Sequence, residues 1–184
     1  MIFFTAISAL VVGAALGADQ PAVTLPDGST VVGKTVGQVA QFKGLRYAQP
    51  PLGDLRWAPP VSYVNPDPSA AVDATNYGSV CTQSNWGGGS EDCLFLNVYV
   101  QEDKLQNVSS ANLPVAFFIH GGAYQDGCSN LYDATEIVDY WKGAAIVVTI
   151  NYRLGVFGFM GSEEMRVNDR EFGSTGNYGL QVKC

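Results

Sequence analysis

The chain has 184 residues, a net charge of −7, and a composition that is 47% hydrophobic and 11% aromatic. That length suits one domain with a real core, and the apolar content excludes a disordered chain. No cluster of Lys or Arg is present to neutralise phosphates, which argues against a nucleic-acid partner.

Met1 to Ala18 carries no charged side chain and has an apolar stretch from Ile7 to Leu16. Ala15-Leu16-Gly17 then sets small residues at the −3 and −1 positions of a cleavage site. The run is shorter than the roughly 20 apolar residues that cross a bilayer. Residues 1–18 therefore read as a secretory signal peptide rather than a membrane span. The expected product is secreted, with residues 19–184 forming the folded part. Asn107-Val108-Ser109 agrees as an N-glycosylation acceptor. So do four cysteines, Cys81, Cys93, Cys128 and Cys184, which an oxidising compartment would tend to pair. Cys81 and Cys93 flank a segment rich in Gly, Ser and Asn. Closing a loop of that length stabilises a fold by about 3 kcal/mol in the chain-entropy model. No C-x-x-C spacing occurs, so neither zinc nor another metal is expected, and nothing asks for a cofactor.

Val31-Val32 and Gln41 to Tyr47 read as short strands around Gly33 and Gly37, an antiparallel start. Pro50-Pro51, Pro59-Pro60 and Pro66 to Pro68 mark extended, turning chain. Cys93 to Val100, Pro114 to Ile119 and Ala144 to Ile150 are nearly unbroken apolar runs, which suit strands buried on both faces. Asp133 to Trp141 spaces Ile137, Tyr140 and Trp141 on one helical face. Strand, glycine loop, helix and strand in that order imply a βαβ crossover in a mixed α/β sheet.

At Phe117-Phe118-Ile119-His120-Gly121-Gly122-Ala123-Tyr124 a hydrophobic strand runs into two glycines. A loop of that kind bares backbone N–H groups and suits an oxyanion, the charge that develops when a nucleophile attacks an ester carbonyl. His120 is the only histidine in the chain, and no Gly-x-Ser-x-Gly occurs.

Glu91-Asp92-Cys93-Leu94-Phe95-Leu96-Asn97-Val98 resembles the signature of the type-B carboxylesterases, the branch of the α/β-hydrolases that includes cholinesterases and fungal lipases. Phe42 to Gly53, followed by Leu55-Arg56-Trp57, resembles the block this family carries near its N-terminus. His120 to Tyr124 resembles its oxyanion loop. Asn151 to Phe159 and Gly176 to Leu180 follow in the family's order. The five blocks cover about residues 24 to 180 and identify the N-terminal portion of an α/β-hydrolase.

The resemblance implies a serine esterase or lipase acting on a small-molecule or lipid ester through an acyl-enzyme. It implies two oxyanion donors, the N–H groups of Gly122 and Ala123, with Gly121 and Gly122 allowing close approach of the substrate. It gives His120 an orienting role, pairs Cys81 with Cys93, and sets Arg56 against Glu91 as a structural ion pair. Read without the resemblance, Arg56 and Glu91 are two solvated surface charges.

Such an enzyme also needs a serine on a strand-to-helix elbow, a histidine base and an acid. Ser129 and Ser174 lack the elbow's glycine spacing. After Leu180 the family continues x-Asp-Gln, whereas this chain reads Gln181-Val182-Lys183-Cys184. Val182 thus stands where the family places an acid against the arginine matching Arg153. The expectation is a chain truncated before the elbow, with Val182 to Cys184 as translated intron, and inactive alone. A binding or adhesion module of the same fold is the competing reading, since the family has catalytically dead relatives.

Overall fold

A computed structural model describes residues 20–105 and 112–181. The expected signal peptide, Asn107, and the segment from Val182 to Cys184 lie outside them.

Among the described residues, eight strands form two sheets. In the small sheet β1 (Ala22–Thr24) pairs antiparallel with β2 (Thr30–Val32), which pairs parallel with β5 (Val72–Asp73). The larger sheet contains β3 (Lys34–Val36), β4 (Val39–Arg46), β6 (Phe95–Gln101), β7 (Val115–Ile119) and β8 (Ile146–Ile150). Its order is β3-β4-β6-β8-β7, and only the β7–β8 pair is parallel. A short antiparallel start and one βαβ unit make a mixed sheet, as the sequence predicts.

Burial differs among the three apolar runs. All five residues of β8 are buried, because β6 and β7 flank it and side chains cover both faces. Val148 and Ile150 pack with Phe42 and Val100 on one side, whereas Val147 packs with Tyr99 and Val138 on the other. β7 is not buried on both faces. Among the described residues it is an edge strand, and Phe117, Phe118 and Ile119 are 36%, 40% and 53% exposed.

The crossover helix is α2 (Thr135–Tyr140), after the single turn of α1 (Glu102–Leu105). Its buried face is not the predicted one. Ala134 and Val138, spaced i and i+4, pack against Val39, Tyr99 and Val147, while Ile137, Tyr140 and Trp141 are exposed. An i, i+3, i+4 pattern reports a shared face, not which side the sheet lies on. Burying a side chain such as Val138 is worth roughly 1.5–3 kcal/mol.

At the carboxyl ends of β7 and β8 the chain leaves the sheet. Ala48, Cys81, Cys93, Leu94, Tyr152 and Leu154 form a third cluster there. A short helix, α3 (Gly155–Phe159), follows. The expected glycine loop, which follows β7, therefore sits at this end of the sheet.

Candidate functional site

β7 delivers His120 into the interior, where it is 3% exposed, and the next three residues are exposed. The imidazole stacks on Tyr152 at 4.5 Å between ring centroids, and the Tyr152 hydroxyl donates to the His120 carbonyl at 3.0 Å. Nδ1 lies 2.8 Å from the Gly121 oxygen. A carbonyl only accepts, so this contact assigns the proton to Nδ1. Burial pushes the imidazole below its ordinary pKa, against the raising effects of the Gly121 carbonyl and the Asp126 carboxylate. His120 is thus a neutral donor, and no serine hydroxyl bonds it among the described residues.

The loop then takes left-handed backbone at three consecutive residues, with φ of 120° at Gly122, 53° at Ala123 and 63° at Tyr124. Gly122 must be glycine, since a Cβ there would lie 1.9 Å from the Asp126 carbonyl. Gly121 need not be, because a Cβ at that position meets nothing within 4 Å in this chain. The backbone N–H groups of Gln125 and Asp126 donate to the Gly122 carbonyl at 3.0 and 3.1 Å.

These bonds aim two amides. A trans peptide points its N–H opposite its C=O. The Gly122 N–H shares a peptide with the Gly121 carbonyl, held by His120. The Ala123 N–H shares one with the Gly122 carbonyl, held by Gln125 and Asp126. Neither the Gly122 nor the Ala123 N–H has an acceptor among the described residues. Two neighbouring free amides on a fixed turn are suited to an anion.

Ala123 and Tyr124 border a groove of about 850 Å³, shared with Gln83, Leu154, Val156 and Phe159. None of its lining residues carries a charge. Tyr124 is fixed on that wall by its ring contact with Phe159, 4.9 Å between centroids, and by the Gly155 N–H, which donates to its carbonyl at 2.7 Å.

Cys81 and Cys93 are joined, with 4.9 Å between their Cα atoms. Arg56 Nη2 lies 2.7 Å from Glu91 Oε1, with Nε on the second oxygen, so the two form a bidentate pair at the end of the disulfide loop. Cys128 is buried and forms no disulfide among the described residues. Ser129 is also buried; its hydroxyl accepts from Asn97 Nδ2 at 3.0 Å, and its N–H donates to Asn151 Oδ1 at 2.8 Å. The Ser174 hydroxyl donates to Asp169. Arg153 is 3% exposed and donates to the carbonyls of Ala58 at 2.8 Å and Tyr178 at 3.3 Å; burial lowers its pKa to about 10. Its Nε has no partner among the described residues.

One residue of the site has no signal in the sequence. Gln83 lies in the polar disulfide loop, yet it is 7% exposed and bonded to the backbone of Gly127, 44 positions away. Only a pattern of glutamine two residues after the first cysteine could have marked it.

The mixed sheet, the crossover and the glycine loop at the strand ends define an α/β-hydrolase fold. The profile of the carboxylesterase family matches residues 19–181, and the chain belongs to that family. It is 41% identical over 142 residues to para-nitrobenzyl esterase of Bacillus subtilis, covering 71% of this chain and 27% of that protein. It is 33% identical to neuroligin-2 of Mus musculus, covering 79% of this chain and 21% of that one. The crystal structure of Aspergillus niger EstA superposes with a TM-score of 0.75 at 34% identity, over 89% of this chain and 30% of EstA. The chain therefore spans less than a third of the length of these relatives.

Proposed function

We propose that this chain carries the oxyanion-binding part of a secreted serine carboxylic-ester hydrolase. The observation that carries the reading is the pair of free amides, Gly122 and Ala123, aimed by bonds to their own carbonyls. In such an enzyme serine attacks the ester carbonyl, an acyl-enzyme forms, and water releases the acid. The tetrahedral oxyanion would accept from both amides, and losing one such donor costs about 3–4 kcal/mol in the transition state. The uncharged groove beside Ala123 suits one arm of a small-molecule or lipid ester. The Cys81–Cys93 bridge, the Asn107 sequon and the leader support secretion, and the Arg56–Glu91 pair pins the end of the bridged loop.

The only histidine is already engaged with Gly121 and Tyr152, and no Gly-x-Ser-x-Gly occurs, so the 184 residues by themselves are expected to leave esters uncleaved. A second reading, a non-catalytic cholinesterase-like binding or adhesion module, draws support from the likeness to neuroligin-2. It gives no reason for two amides to be held open.

The test is a titration of the ¹⁵N-labelled chain with an aryl phosphonate monoester, an anion shaped like the tetrahedral intermediate. Saturable shifts centred on the Gly122 and Ala123 amides are expected. A titration that leaves both signals in place removes the reading.

A further inference from the structure

We infer that Gln83 is a positioning residue for the oxyanion loop, transmitting the order of the disulfide-closed loop to the Gly122 and Ala123 amides. The inference rests on the donor role proposed for those amides.

The Gln83 side chain imitates a strand neighbour. Its Oε1 accepts from the Gly127 N–H at 2.9 Å, and its Nε2 donates to the Gly127 carbonyl at 3.0 Å. The second Nε2 proton goes to the Cys81 carbonyl at 3.0 Å. Both donors and one acceptor position of the amide are therefore used between two backbones. The disulfide fixes the Cys81 end, and backbone bonds from Thr82 to Ser90 and from Gln83 to Gly88 hold the rest.

Gly127 is the other end of the oxyanion turn, and it packs without slack. A Cβ on it would lie 2.6 Å from both the Gly121 oxygen and His120 Nδ1, the two atoms that aim the Gly122 amide. Gln83 thus holds Gly127 against the pair that sets the donor direction. Asn85 adds a second tie from the same loop, with Nδ2 donating to Asp126 Oδ2 at 2.9 Å. Asp126 in turn donates its N–H to the Gly122 carbonyl. Each end of the disulfide loop's contact therefore leads to one of the two donor peptides.

The test compares Gln83→Ala and Gln83→Glu with the unaltered chain by amide exchange and by phosphonate affinity. The Ala variant should lose at least tenfold in protection at Asp126 and Gly127 and at least tenfold in affinity. Protection of Val147 to Thr149 in β8 should stay unchanged, which separates a loosened loop from a failed fold. The Glu variant supplies a readout that packing alone would not move. As a carboxylate it can accept from Gly127 but cannot donate, whereas the neutral acid regains a donor. Relative to the unaltered chain at the same pH, its loop protection should recover on acidification toward the carboxyl range, about pH 4–5. An Ala variant with native loop protection overturns the inference, as does a Glu variant indifferent to pH. Reduced loop protection in the Ala variant, with no phosphonate binding even by the unaltered chain, leaves Gln83 as a brace and removes the oxyanion reading instead.

Discussion

Strand β7 and the loop it feeds are ordered by opposite means. β7 is apolar and, among the described residues, paired on one side only, with its last three residues substantially exposed. The loop from His120 to Gly127 is largely exposed and hydrophilic, yet bonds from His120, Gln83, Gln125 and Asp126 converge on it. Burial is weakest in the strand that reads as most hydrophobic, and geometry is tightest in the loop that reads as most open. The candidate site owes its shape to directional bonds between polar groups and backbone, which do not depend on covering the β7 edge.

Removing the bridge is the largest way to break that contrast. Joint Cys81→Ser and Cys93→Ser substitution should cost about 3 kcal/mol in denaturant unfolding, with loop protection falling before that of β8. Gly122→Ala acts next. Its positive φ and the 1.9 Å approach to Asp126 force the turn to rearrange, at roughly 1–3 kcal/mol of strain. Thermal unfolding should shift downward, and phosphonate shifts at the loop should vanish.

Acidification sharpens the contrast more gently. The folded state keeps His120 below its ordinary pKa of 6.5, chiefly by burial. The neutral form is thereby favoured in the fold, so this contribution is complete above about 6.5 and is lost as pH falls toward the folded value. Asp133 behaves similarly further down. Burial opposes its ionisation, but hydrogen bonds from Lys43 and Thr135 lower it to about 2, so its contribution fades only between about pH 4 and pH 2. Unfolding free energy measured against pH should show a first decline below 6.5, with the His120 resonances titrating below that value. The smallest effect belongs to the strand. Ile119→Thr should change stability by less than about 0.5 kcal/mol, while reducing self-association in sedimentation, because an apolar unpaired edge recruits other chains.

The sequence made some of this legible. Apolar runs separated by glycine and proline placed the strands, and Gly121-Gly122 after an apolar run marked the turn. It did not reveal burial at β7 or the buried side of α2, because periodicity records that a face is apolar and not what lies opposite it. Gln83 stayed hidden for a different reason. It sits among Ser, Asn and Gly, and its partner is a backbone 44 residues away. Only the folded chain brings the two together.

Gly122 and Ala123 are the proposed oxyanion donors, their amides aimed by bonds to the Gly121 and Gly122 carbonyls. The most direct measurement is a crystal structure of the chain with the aryl phosphonate bound. One phosphonate oxygen should lie about 2.7–3.1 Å from both nitrogens, with the Gln83–Gly127 bonds intact. An oxygen bound elsewhere, or amides turned away from it, would contradict the account.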